Sequence, residues 1–144
     1  MPPQFRYNRC VSILCLDYGA KRIGVAIAEP PAYVAVPLDT YPAEPLDSLL
    51  ETLRQYVSER DVRQIVVGLP LQTDGREGTS AQAARAFGEA VSSALSLPVD
   101  YQDERMTSVG AECALSPKQR KRHVDAVAAA LILEGFLRCT GRVQ

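Results

Sequence analysis

Four carboxylates stand where an apolar stretch of this sequence begins or ends. Asp17 closes the run Val11 to Leu16, Asp103 and Glu104 follow Val99 to Gln102, and Asp125 opens the stretch Val124 to Leu133. A carboxylate at the tip of a buried element is costly unless a metal, a cation or hydrogen bonds hold it. Several such groups brought to one place repel one another, and divalent cations remove that repulsion. Oxygen ligands with little sulfur or imidazole suit Mg²⁺ or Mn²⁺. Two such ions roughly 3.5–4 Å apart can stabilise both the attacking and the leaving oxygen of a phosphodiester. Spacing alone leaves a plainer reading open, in which Asp17 and Asp125 cap helix ends or pair with Arg22 and Arg105.

Cations lie beside these acids. Lys118, Arg120, Lys121, Arg122 and His123 immediately precede Asp125. Basic residues next to a metal site can hold the phosphates that flank a scissile bond; the alternative is a solvated loop. Lys21 and Arg22, in the turn after Asp17, take the same reading, with a structural salt bridge as a second role for Arg22. Arg105 either orients Glu104 or meets substrate. His123 is the sole histidine, and an exposed bystander is the plainer view of it. The stretch Gln72 to Gly78, with Thr73 and Asp74, reads equally as a substrate rim and as an ordinary turn. Tyr18 either stacks on a base or packs under its turn.

The elements that must position these groups follow from periodicity. Val11 to Leu16 and Ile23 to Ile27 are near-continuous apolar runs, the pattern of strands buried on both faces. Gly19 and Gly24, in and after the turn between them, leave room for a backbone or ligand to come close. Val34 to Leu38 is a third strand weakened by Pro37, hence an edge, and short links predict an antiparallel meander. Pro45 opens a helix with Leu46, Leu49, Leu50, Leu53 and Val57 on one stripe. Ile65 to Val67 is a buried strand. A helix over Ser80 to Leu95 and a strand over Val99 to Gln102 follow, with the first and last strands expected side by side. Thr107 or Ser108 caps a short helix through Leu115. The last helix, Val124 to Leu137, is apolar almost all round and therefore buried; every exposed helix face reads as polar. The order predicts an α/β fold of three layers, one mixed five-stranded sheet with helices on both faces.

Composition narrows the classes. At 144 residues, 47% hydrophobic and 23% charged, the chain reads as a single globular domain over 10–144 behind a flexible segment at 1–9. A net charge of -1 means that a nucleic-acid surface must come from local clustering of Lys and Arg. No apolar run reaches transmembrane length and no signal peptide is evident, so no membrane partner and a cytoplasmic location are expected. Cys10, Cys15, Cys113 and Cys139 lack metal-site spacing and read as reduced thiols packed as small hydrophobes.

Four segments together resemble one family. DYGAKRIGVAIA (Asp17 to Ala28), IVVGLPLQTDGREG (Ile65 to Gly78), DERMTS (Asp103 to Ser108) and VDAVAAALIL (Val124 to Leu133) are similar to the motifs of the YqgF/RuvX family, in the same order. The resemblance implies an RNase H-like fold and a divalent-metal-dependent nuclease. It implies Asp17, Glu104 and Asp125 as catalytic, metal-binding acids carrying Mg²⁺ or Mn²⁺, two ions in all. Successive strand side chains face opposite ways, so only one of Asp103 and Glu104 is expected at the metals. The segment between DERMTS and the last helix is shorter than is usual for the family and carries Pro117. The family's two activities make the expected partner RNA, at the 5′ end of precursor 16S rRNA, or a four-way DNA junction. RNA processing is the favoured expectation, with a monomer or weak homodimer, since paired cuts favour a symmetric dimer and no dimer helix is evident. Two alternatives belong to other classes: a nucleotide-binding domain of the actin-like kinases and ATPases, and an RNase H-like module that grips nucleic acid without cutting.

Overall fold

The computed structural model describes residues 11–71, 74–104 and 124–141. Its elements are β1 (Ser12–Tyr18), β2 (Arg22–Ala28), β3 (Val36–Pro42), α1 (Leu46–Arg60), β4 (Val62–Leu69), α2 (Thr79–Leu95), β5 (Val99–Asp103) and α3 (Val124–Cys139). They build one five-stranded sheet in the order β3-β2-β1-β4-β5. β1, β2 and β3 pair antiparallel, as a meander must. β4 lies parallel to β1, and β5 parallel to β4, each after a helical crossover.

The apolar runs explain the layers. Along β1, side chains alternate between the two faces of the sheet. Leu14 and Leu16 join Val25, Ile65 and Val67 under Leu49 and Leu53 of α1 and Ala84 and Val91 of α2. Ile13 and Cys15 join Ala26 and Val66 under Ala129, Leu133, Phe136 and Leu137 of α3. Both faces of the central strands are therefore buried, which is why their sequences read as unbroken hydrophobic runs rather than alternating ones. Helix α3 packs flat on its face because Ala126, Ala129 and Ala130 keep its contact side thin, and all three are buried.

Several expectations need correction. The first and last strands are not neighbours: β4 lies between β1 and β5. Because β1, β4 and β5 are all parallel, their carboxyl ends still share one edge. The edge strand begins at Val36 and runs to Pro42, later than Val34 to Leu38, since its ladder is set by pairing with Arg22 to Ile27 rather than by its own apolar content. Cys15 is buried as a small hydrophobe, but Cys139 is exposed. Not every exposed helix face is polar, because Ala83, Ala86 and Ala90 of α2 line an open groove with Leu46 and Phe87. The expected helix from Thr107 to Leu115, with Cys10 and Cys113, lies outside the described residues. Among the described residues no helix is long and apolar enough to cross a membrane.

Candidate active site

The carboxyl ends of β1 and β5 deliver Asp17 and Glu104 to the α3 side of the sheet. Asp17 lies two residues beyond Cys15, which belongs to the α3-side core, and so shares its face. Glu104 follows the last residue of β5, two residues beyond Gln102, whose amide reaches Cys139 of α3. The two carboxyls are hydrogen-bonded to each other. With Ala128, Leu131 and Ile132 of α3 they line a recess of about 220 Å³. Ala128 and Ile132 stand three and seven residues after Asp125, on one stripe of the helix. The same stripe that walls the recess thus begins with the third acid.

Electrostatics mark this pair as unusual. Burial, then the charge of Glu104 and a hydrogen bond with it, then the charge of Asp125, push Asp17 up from 3.8 to about 7. Burial also raises Glu104, and the charge of Asp103 adds to that, while the hydrogen bond from Asp17 opposes it. Both carboxyls are thus harder to ionise than usual, as expected of two acids brought together in a half-buried recess. Beneath them the Cys15 thiol is pushed well up by burial and by the charges of Asp17 and Glu104, which keeps it an inert packing group.

Asp125 approaches from the first turn of α3. Its Oδ2 lies 3.1 Å from Nε of Arg22, whose side chain is 67% exposed. The plainer reading of Asp125 as a partner of Arg22 is thus realised, and its charge is still felt at Asp17. Among the described residues no three His, Cys, Asp or Glu side chains converge as a finished ligand set. The reason is visible in the pairing: Asp17 and Glu104 are turned toward each other, and Asp125 toward the Arg22 guanidinium. The donor chemistry nonetheless fits a hard divalent cation. All candidate donors are carboxylate oxygens, and the raised Asp17 and the Arg22 contact of Asp125 mark a place where positive charge is favoured.

Of the paired acids at the end of β5, Glu104 meets Asp17, and Asp103 acts on Glu104 through its charge. Lys21 and Arg22 are exposed in the turn that leads into β2. Arg105, Lys118, Arg120, Lys121, Arg122 and His123 lie outside the described residues, as do Gln72 and Thr73. Asp74 takes the turn role, since Arg76 is tied to it by its backbone N–H at 3.0 Å and its Nε at 2.6 Å. Tyr18 points to the opposite face, its ring 4.9 Å from that of Phe87, so it packs rather than offering a free face beside Asp17. Reading the sequence by residue type overlooked the recess wall. The spacing of Ala128 and Ile132 from Asp125 was the available signal for the wall.

A family model described as "RuvX: Holliday junction resolvase" matches residues 11–139. A protein of Chloroflexus aggregans named "Putative pre-16S rRNA nuclease" is 44% identical over 131 residues, covering 88% of this chain and 92% of its own. One of the same name from Oenococcus oeni is 39% identical over 139 residues, covering 91% and 96%. Among solved structures, T. thermophilus RuvC in complex with a Holliday junction substrate superposes with a TM-score of 0.57 at 13% identity, over 90% of this chain and 96% of that one. That likeness fixes the fold as RNase H-like.

Proposed function

The chain belongs to the RuvX family, and from that premise we propose that it is a divalent-metal-dependent nuclease that trims the 5′ end of precursor 16S rRNA. The observation that carries the reading is the meeting of the Asp17 and Glu104 carboxyls in one recess at the strand ends, with Asp125 close enough to raise Asp17 further. A structural role alone would not bring Asp17 and Glu104 together within reach of the charge of Asp125. The RNA substrate rests on the name borne by relatives up to 44% identical over nearly the whole chain.

Asp17, Glu104 and Asp125 would hold the ions. Bound there, Mg²⁺ or Mn²⁺ supplies charge neutralisation, an activated water and stabilisation of the leaving 3′ oxygen. The chain's own residues prepare that chemistry. With positive charge bound beside them, Asp17 and Glu104 would both ionise, releasing any bound proton to solvent, and both would serve as acceptors. Arg22 exchanges Asp125 for a substrate phosphate, which frees the third carboxylate while fixing the strand. Lys21 stands next to it as a second phosphate contact, and we propose Arg105, Lys118, Arg120, Lys121 and Arg122 as further phosphate contacts. Ala128, Leu131 and Ile132 give the recess an apolar wall, which strengthens every charge interaction inside it.

The test is a substrate panel. A precursor rRNA fragment with the 5′ leader, an unrelated single-stranded RNA and a four-way DNA junction are incubated with the protein and Mg²⁺ or Mn²⁺. Cutting of the leader fragment in preference to the others is expected. Cutting of the junction alone, in paired nicks, would replace RNA processing with junction resolution. Metal-independent binding without product would reduce the chain to a binding module.

A further inference from the structure

Two glycines flank Asp17 across the sheet, and each lies directly under one of the other acids. Gly24 is the cross-strand partner of Asp17 on β2. A Cβ at Gly24 would lie 1.9 Å from the carbonyl oxygen of Asp125, 2.2 Å from its carbonyl carbon and 2.8 Å from the Ala126 nitrogen. Gly68 stands on β4 one residue beyond the Leu16–Val67 pair, as Asp17 does on β1. It lies two residues after Val66 of the α3-side core and so faces the same way. A Cβ at Gly68 would lie 2.8 Å from Oε1 of Glu104 and 2.7 Å from Cδ1 of Ile132.

Neither glycine is required by its backbone, since both lie within regular strands and neither has a positive φ. Glycine in a strand interior weakens the strand, and its use there marks a close approach. At Gly24 the approaching group is the backbone of the first turn of α3. At Gly68 two groups approach, Cδ1 of Ile132 and the carboxylate of Glu104.

We propose that Gly24 and Gly68 are positioning residues that set the spacing of the three acids, Gly24 by seating the first turn of α3 and hence Asp125, and Gly68 by letting the Glu104 carboxylate lie down beside Asp17. The functional consequence rests on the reading of these acids as metal ligands; the positioning itself does not. The two sites differ in what must give way. An added methyl at Gly24 meets rigid backbone, so α3 has to lift as a body. An added methyl at Gly68 meets the ends of two flexible side chains, so the fold accommodates it and the Glu104 carboxylate moves.

Gly68→Ala is therefore the decisive variant, with Gly24→Ala beside it. The first measurement uses metal-free, ¹³C-labelled full-length protein and reads the carboxyl resonances of Asp17, Glu104 and Asp125. Gly68→Ala is expected to move those of Glu104 and Asp17 and leave that of Asp125; Gly24→Ala is expected to move that of Asp125. The second reads Mn²⁺ binding from the free-ion electron spin resonance signal. Gly68→Ala should weaken it about 10–100-fold, the range seen when groups that orient metal ligands are changed. Glu104→Asp, one methylene shorter, should harm the wild-type background yet restore part of the Mn²⁺ affinity in the Gly68→Ala background. Unmoved carboxyl resonances in Gly68→Ala would overturn the positioning role, and so would wild-type Mn²⁺ affinity with no rescue by Glu104→Asp. If wild type itself binds no Mn²⁺ and cuts nothing, the metal-nuclease reading fails, and the carboxyl resonances still decide the positioning role. If Gly24→Ala does not fold, Gly68→Ala decides it.

Discussion

Replacing Asp17 by Asn should stabilise the metal-free protein while destroying its activity. In the folded state Asp17 is pushed from 3.8 to about 7, chiefly by burial and then by Glu104 and Asp125. A carboxyl raised on folding binds more protons in the native state than in the unfolded one. Its contribution is therefore fully favourable below about pH 4 and is lost as pH rises through about 7. At about 1.4 kcal/mol per tenfold change in proton affinity, full ionisation of Asp17 costs about 4 kcal/mol at pH 8. The proton belongs to the Asp17–Glu104 pair, so part of that cost stays with Glu104 when Asp17 is changed; about 2 kcal/mol of net stabilisation is expected. Asn keeps a donor toward Glu104 and carries no charge. In EDTA at pH 8, Asp17→Asn should melt about 6 °C above wild type, a shift suited to a chain of this size. The gap should narrow steadily as pH falls and close below about pH 4, where Asp17 is protonated in the folded and unfolded states alike. Adding Mn²⁺ at pH 8 should raise wild type much more than the variant. Equal melting temperatures at pH 8, or a variant that is less stable there, would refute the claim that burial and its acidic neighbours hold Asp17 high.

Other perturbations follow from the same contacts. Arg22→Ala should change the melting temperature little, because an exposed ion pair is worth about 0–1 kcal/mol, yet weaken nucleic-acid binding and reduce the slope of log affinity against log salt by about 1; an unchanged slope would remove Arg22 from the phosphate surface. Leu133→Ala, at a fully buried position between α3 and the sheet, should destabilise by about 2–5 kcal/mol in urea unfolding; a loss under about 1 kcal/mol would mean that α3 is not packed as described. Ala128→Phe, on the wall of the recess beside Asp17 and Glu104, should fill it and abolish cleavage with the melting temperature little changed; retained cleavage would place the reaction elsewhere.

The sheet was legible in the sequence because its central strands are buried on both faces. Runs such as Ile13 to Leu16 and Ile65 to Val67 admit few other readings, and the polar break at Lys21 and Arg22 fixes the meander turn. The position of β4 between β1 and β5 was not legible. Strand order depends on which helical crossover returns to which edge, and no local pattern carries that. The edge strand was misplaced for a related reason: the ladder with β2 sets its limits. At the site, Asp17, Glu104 and Asp125 were nameable because a carboxylate ending an apolar run demands a partner. Choosing Glu104 over Asp103 followed only in part, since alternation says that one of them turns away but not which. Gly24 was marked as a place of close approach, and the approaching group, the Asp125 carbonyl, lies 101 residues further along the chain, beyond any local signal. Gly68 passed unnoticed because a glycine at a strand end looks like the start of a turn.

The central claim is that Asp17, Glu104 and Asp125 form one metal-dependent hydrolytic site. The most direct test cleaves an end-labelled precursor rRNA fragment with wild type and with Asp17→Asn, Glu104→Gln and Asp125→Asn, each in Mg²⁺, Mn²⁺ or EDTA. Nucleic-acid binding and melting temperature are followed in parallel. The account predicts cutting by wild type in either metal, none in EDTA, and none by any variant, with folding and binding preserved throughout. Cutting that survives EDTA, or persists in all three folded variants, would contradict it.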